Sequence, residues 1–167
     1  IFEITDKRVE NNFVPIKELI NDAIERIDKL YQNKSQVTGL SSGFVDFDRR
    51  TAGFQPSDLI VVAGRPSMGK SAFALCVAHH IGVEKKIPVA MFSLEMSKEQ
   101  LVQRLLCLHA RVDAHSVRTG FLSVSDWPKI TAAAGKLSES AIFIDDTPGI
   151  SVLELRAKAR RLKSQHD

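Results

Sequence analysis

Gly64-Arg65-Pro66-Ser67-Met68-Gly69-Lys70-Ser71 has the spacing G-x-x-x-x-G-K-[ST], a pattern suited to polyphosphate. Glycines let the backbone curl until successive N–H groups converge on phosphate oxygens. A helix beginning at the same point adds its N–H groups and the positive end of its dipole. Lys70 can reach the β- and γ-phosphates, and the Ser71 hydroxyl can hold Mg²⁺. A plain Gly-rich turn explains neither the lysine nor the serine. The candidate nucleotide-binding set is therefore Gly64, Arg65, Pro66, Ser67, Met68, Gly69, Lys70, Ser71 and Ala72, with ATP and Mg²⁺ as the expected ligands.

Hydrolysis needs a further group to orient or deprotonate water. Two sets of acids fall at the ends of expected strands: Glu95 after Pro88–Leu94, and Asp145 and Asp146 after Ala141–Ile144. In open parallel sheets, ligands sit beyond the carboxyl ends of strands. Taken alone, the residues favour Asp145 for the metal and Glu95 for the water, with a turn-capping acid as the competing reading at each. Arg104, on the helix after Glu95, could reach the γ-phosphate side or couple it to DNA-binding loops. It could equally be a surface arginine paired with Glu99 or Gln100.

These groups need a frame. Leu59–Ala63 reads as a buried strand running into the phosphate loop, 70–85 as the helix leaving it, and Pro88–Leu94 as a second strand. Ser97 and Gln100 form a capping box before an apolar-striped helix through Leu101, Leu105, Leu106 and Leu108. Asp126–Leu137 is a shorter helix and Ala141–Asp145 a third strand. Ser151 and Glu154 cap a last helix over 152–165. Strands alternating with helices imply an α/β fold, a mainly parallel sheet with helices on both faces. Ahead of it, Ile16, Leu19, Ile20, Ala23, Ile24, Ile27, Leu30 and Tyr31 make one apolar stripe over 14–31, with Pro15 at the first helical position. Gln32–Gln36 reads as a linker. Periodicity alone slightly favours the stripe folding back on its own domain over docking on a neighbouring subunit.

Composition sets the remaining bounds. The chain has 167 residues, 44% hydrophobic and 26% charged, which suits one soluble domain with or without an arm. Its longest apolar run, Leu59–Ala63, is far too short to cross a bilayer as a helix. Cys76 and Cys107 have no disulfide or metal spacing, which favours a reducing cytosol and two core cysteines. The start at Ile1 suggests a processed product or a piece of a longer protein. The net charge of +3 is concentrated in 154–167, with five basic and two acidic residues. The bland account is a solvated helix face, and nucleic-acid contact is the sharper one. Arg49, Arg50 and Arg118 are expected on solvated faces and His79-His80 on a polar helix face. Trp127 is expected to pack as a staple at a helix start.

Several runs resemble the RecA-like motor of bacterial replicative helicases of the DnaB type. They are Thr38–Arg49, Thr51–Ile60, Arg65–Ser71, Ser93–Ser97, Arg118–Gly120 and Ile144–Gly149, in that order. The resemblance covers about 37–163, and Arg65-Pro66-Ser67-Met68 is its most specific part. It implies that 1–36 is an N-terminal arm and linker helix, and 37–167 the first part of a RecA-like P-loop ATPase, an incomplete domain. It makes Glu95 the residue that activates water, with Lys70 beside it. It places the Walker B aspartate on a further strand after the last helix, so Asp145 is withdrawn as the main metal ligand. The arginine finger and the loops for single-stranded DNA are likewise expected beyond 167. By resemblance the linker helix 14–31 docks on the adjacent subunit of a homohexamer. Primase and a helicase loader are expected partners, and the bacterial cytoplasm at replication forks the setting. Two alternatives remain: a RecA/RadA-type recombination or repair ATPase, and a non-catalytic nucleotide-binding and assembly module.

Overall fold

The computed structural model describes residues 14–33 and 37–166. The expected arm before residue 14 and most of the expected linker lie outside the described residues. Helix α1 spans Ile16–Asn33, starting just after Pro15, whose carbonyl accepts from Glu18 N at 3.0 Å. Its stripe is not covered by its own chain. Ile16, Leu19, Ile20, Ile24, Ile27, Leu30 and Tyr31 are all exposed, Ile27 at 64%. The fold-back reading is therefore not what the structure shows.

The remaining elements alternate as expected. They are α2 (Val45–Thr51), α3 (Lys70–His79) with a wider π turn over His80–Glu84, β1 (Val89–Phe92) and α4 (Lys98–Ala110). After them come α5 (Ala114–Thr119), α6 (Asp126–Ser138), β2 (Ile142–Asp145) and α7 (Val152–His166). The sequence reading had neither α2 nor α5, which are both short. Both expected capping boxes form. Gln100 N donates to Ser97 Oγ at 3.4 Å and Ser97 N to Gln100 Oε1 at 3.3 Å. Glu154 N donates to Ser151 Oγ at 3.2 Å and Ser151 N to Glu154 Oε2 at 2.9 Å.

Strands β1 and β2 pair in parallel, Val89 with Ile142 through Phe92 with Asp145. Strand periodicity then sorts the side chains into two faces. On one, Met91, Ile142 and Ile144 meet the core of Leu75, Leu101 and Leu105 from α3 and α4, with Leu137 of α6. On the other lies α7, with Lys158 Nζ on Asp145 Oδ2 at 2.5 Å and His166 against Phe143. Helices thus cover both faces. The last turns of the 70–85 helix widen because Lys85 N bonds back to His80 O. Gly82 there sits so close to Ile142 that a Cβ would come within 2.3 Å of that side chain.

Two expectations fail. Leu59–Ala63 is not a buried strand: Leu59 is 91% exposed, and the sheet of the described residues holds only β1 and β2. A buried strand needs ladder partners for its N–H and C=O groups. Here a groove of about 540 Å³, walled by Ile60, Val62, Phe73, Val77, Val89 and Met91, separates the segment from β1. Trp127 does not pack as a staple but is 60% exposed near the start of α6.

Candidate nucleotide-binding site

Two left-handed residues, Ser67 (φ 65°) and Gly69 (φ 89°), curl the phosphate loop. At Gly69 a Cβ would meet nothing within 4 Å, so backbone conformation and not space is what calls for glycine. Helix α3 begins at Lys70. Its first N–H groups have no acceptor within the helix and are free for a ligand in the loop's concavity.

The far end of α3 is pinned. The Asp48 carboxylate is 4% exposed, and it accepts from Ser42 N at 2.9 Å and from the Ser41 hydroxyl at 2.7 Å. Burial pushes its pKa up, but the hydrogen bonds from Ser42 and Ser41 outweigh burial and leave it below the ordinary carboxylate value. Ser41 Oγ also lies 3.3 Å from His80 Nε2, and His80 Nδ1 is 2.7 Å from Glu84 Oε2. His79 Nε2 is 2.7 Å from His109 Nδ1, tying α3 to α4. Burial, and next the neighbouring His109, lower the His79 pKa. His79 and His80 are thus tertiary contacts and not a solvated polar face.

Glu95 sits at the tip of the turn after β1. Ser93 Oγ donates to Met96 O at 2.7 Å and accepts from Met96 N at 3.1 Å, so one hydroxyl closes the turn from both sides. Asp146 Oδ2 accepts from Lys98 N at 3.0 Å, fixing the start of α4 to the end of β2. Asp145 is committed elsewhere. Lys158 first, then Thr147, hold its carboxyl down to about 2. This agrees with its withdrawal as a metal ligand.

One cavity of about 610 Å³ collects Gly64 through Ala72, Glu95, Met96 and Arg104. Every residue of the sequence-derived site lines it, and Lys70 Nζ faces Glu95 Oε1 at 3.5 Å across it. Arg104 has no ion-pair partner among the described residues. Gln100 Oε1 is turned to the α4 cap, so the arginine is left facing the cavity. Among the described residues no group of three or more His, Cys, Asp or Glu could hold a metal ion. A cation here would rest on Ser71 and on the bound phosphates. Sequence reasoning missed Met96, Ser93, Asp146 and the His79–His109 contact. Ser93, two residues before Glu95 at a strand end, was the one with a local signal, since serine closes short turns through its hydroxyl.

The chain matches the DnaB-like helicase C-terminal domain over residues 39–167. It is 48% identical to the replicative DNA helicase DnaC of Bacillus subtilis over 165 residues, covering 99% of this chain and 36% of that protein. It is 46% identical to the replicative DNA helicase DnaB of Geobacillus stearothermophilus, with the same coverage. Among solved structures, an isolated ATPase domain superposes with a TM-score of 0.81 at 34% identity, covering 92% of this chain and 53% of that one. A DnaB-like replicative helicase described with its primase interactions also gives 0.81, at 32% identity, with 92% and 36% covered. The chain spans about a third of the length of the two curated relatives. No helix among the described residues is long and apolar enough to cross a membrane. With its match running over most of its length, the chain belongs to the family of DnaB-like helicase C-terminal domains.

Proposed function

We propose that this chain is the linker helix and the nucleotide-binding half of an ATP-dependent replicative DNA helicase motor. The observation that carries the reading is the cavity in which the whole phosphate loop, Glu95 and Arg104 meet, with Lys70 and Glu95 face to face. Its chemistry fits a Mg-nucleotide. Lys70, Arg65 and Arg104 supply positive charge, Ser67 and Ser71 hydroxyls, and the start of α3 backbone donors.

In this reading Lys70 leaves Glu95 for the β- and γ-phosphates. Ser71 Oγ would hold Mg²⁺, which supplies neutralisation of phosphate charge. The freed Glu95 carboxylate accepts the proton of the attacking water, and the Ser93 turn keeps it aimed. Arg104 steadies the terminal phosphate. Hydrolysis then drives a hexameric ring along single-stranded DNA, which is gripped by regions outside this chain. Residues 1–36 act as arm and linker, with the uncovered α1 stripe docking on the neighbouring subunit. Residues 37–167 act as the motor segment. The groove beside Leu59–Ala63 receives the further strand that carries the Walker B aspartate. Primase, named for one solved relative, and a loader are the proposed partners, in the cytoplasm. Membership of the DnaB-like family favours this over a recombination ATPase.

Mg-ATP and Mg-ADP calorimetry on the chain, beside Lys70→Ala, tests the site. Binding that weakens at least about tenfold in K70A, or roughly 1.4 kcal/mol, supports it. Equal binding by both proteins overturns it.

A further inference from the structure

We propose that the cleft between α4 and α5 is a second anion site, built for the terminal phosphate group of a small polyphosphate. The cleft, about 470 Å³, is lined by Gln100, Gln103, Arg104, His115 and Arg118 over a floor that includes the buried Cys107. None of its lining residues is a carboxylate. Neither Arg104 nor Arg118 has an ion-pair partner among the described residues. The carboxylate next in sequence, Asp113, is taken up by α5 itself. Its Oδ2 accepts from Ser116 N at 2.8 Å and from Ser116 Oγ at 3.0 Å.

The polar inventory is one of donors. Arginine can only donate, so Arg118 Nη2, 3.4 Å from His115 Nδ1, makes that nitrogen an acceptor and leaves the hydrogen on Nε2. Gln100 spends its oxygen on Ser97 N, leaving its NH₂ group for the cleft. Two guanidinium forks, an imidazole N–H and an amide call for a ligand rich in acceptors and carrying more than one charge. A terminal phosphate is such a ligand, and arginine forks match it. A phosphodiester offers fewer acceptors and less charge.

Arg104 lines this cleft and the phosphate-loop cavity alike. Whichever site is filled draws on the same guanidinium, so filling one weakens the other, and reciprocally. This coupling rests on the nucleotide reading above; the cleft's own binding does not.

The test is titration of inorganic pyrophosphate at low salt into the wild-type protein, K70A and Arg118→Ala. Calorimetry counts the sites and ATP serves as a second ligand. The expected result is two sites in the wild type, with the cleft alone surviving in K70A. The phosphate loop alone should survive in R118A, whose cleft affinity falls at least about tenfold. Survival of the phosphate-loop site reports that R118A is folded, and Arg118→Gln repeats the measurement with a polar neutral side chain. A single wild-type site that K70A abolishes and both Arg118 variants leave intact overturns the inference. So does displacement of pyrophosphate from the cleft by a single-stranded oligonucleotide at equal phosphate. Loss of a site in R118A with none in K70A upholds the cleft and overturns the nucleotide reading instead.

Discussion

Helices α1 and α4 carry the same kind of pattern and meet opposite fates. Both repeat apolar residues every three or four positions along one face. In α4 that face ends in the core, with Leu105 3% exposed against Met91, Ile142 and Ile144. In α1 it faces outward along its whole length. Periodicity states that a helix has a face to bury; it does not name what covers it. The α4 stripe therefore contributes to the folding of its own chain, whereas the α1 stripe contributes little to folding and is left available for assembly.

The sharpest way to break that contrast is to attack both stripes. Leu105→Ala leaves a cavity under the sheet and should cost about 2–5 kcal/mol in urea unfolding. Ile20→Asp with Ile24→Asp should leave that unfolding within about 0.5 kcal/mol, as exposed sites do. The same pair should abolish assembly in sedimentation velocity while far-UV helicity of the remainder stays largely intact. Unchanged assembly would remove the docking role from α1, and a large stability loss would mean the stripe is covered within its own chain.

A smaller effect tests how α4 is placed. Ser97→Ala removes one half of a capping box and should cost about 1 kcal/mol in the same unfolding measurement. No equivalent loss is expected at the start of α1, where the proline ring of Pro15 supplies no side-chain acceptor. A wild-type midpoint in Ser97→Ala would mean that tertiary contacts alone hold the start of α4.

The smallest expected effect concerns the opposite face of the sheet. Asp145 has its pKa depressed to about 2 by Lys158 and Thr147, below its usual value of about 3.9. Its contribution is therefore present above that usual value and lost as pH falls from there towards the depressed one. Asp145→Asn should flatten the acid limb of the stability curve in that window only, read by thermal melts. An unchanged limb would mean that the Lys158 contact carries no weight for folding.

Local chemistry was the legible part. The phosphate loop, the two capping boxes and the order of elements are written in residues a few positions apart, and their geometry follows from backbone hydrogen bonding. All the residues named for the site share one cavity because parallel strands deliver their carboxyl ends to one edge. The less legible part was long-range. His79 and His109 lie thirty residues apart and meet at 2.7 Å, a contact no spacing rule anticipates. Trp127 reads as a staple but stays exposed, because nothing in the local pattern supplies an apolar surface to cover it. Leu59–Ala63 has the composition of a buried strand, and composition supplies no neighbour to hydrogen-bond.

The sequence by itself determined that there is a polyphosphate loop, that a helix begins at Lys70, and where most strands and helices alternate, because short-range sterics and capping settle those within a few residues. Tertiary structure alone decided that Glu95 stands opposite Lys70, that Arg104 is shared between two cavities, and that one apolar stripe is buried while another is not. Each of those depends on which surfaces meet in space, and burial is a property of the pair of surfaces rather than of either one.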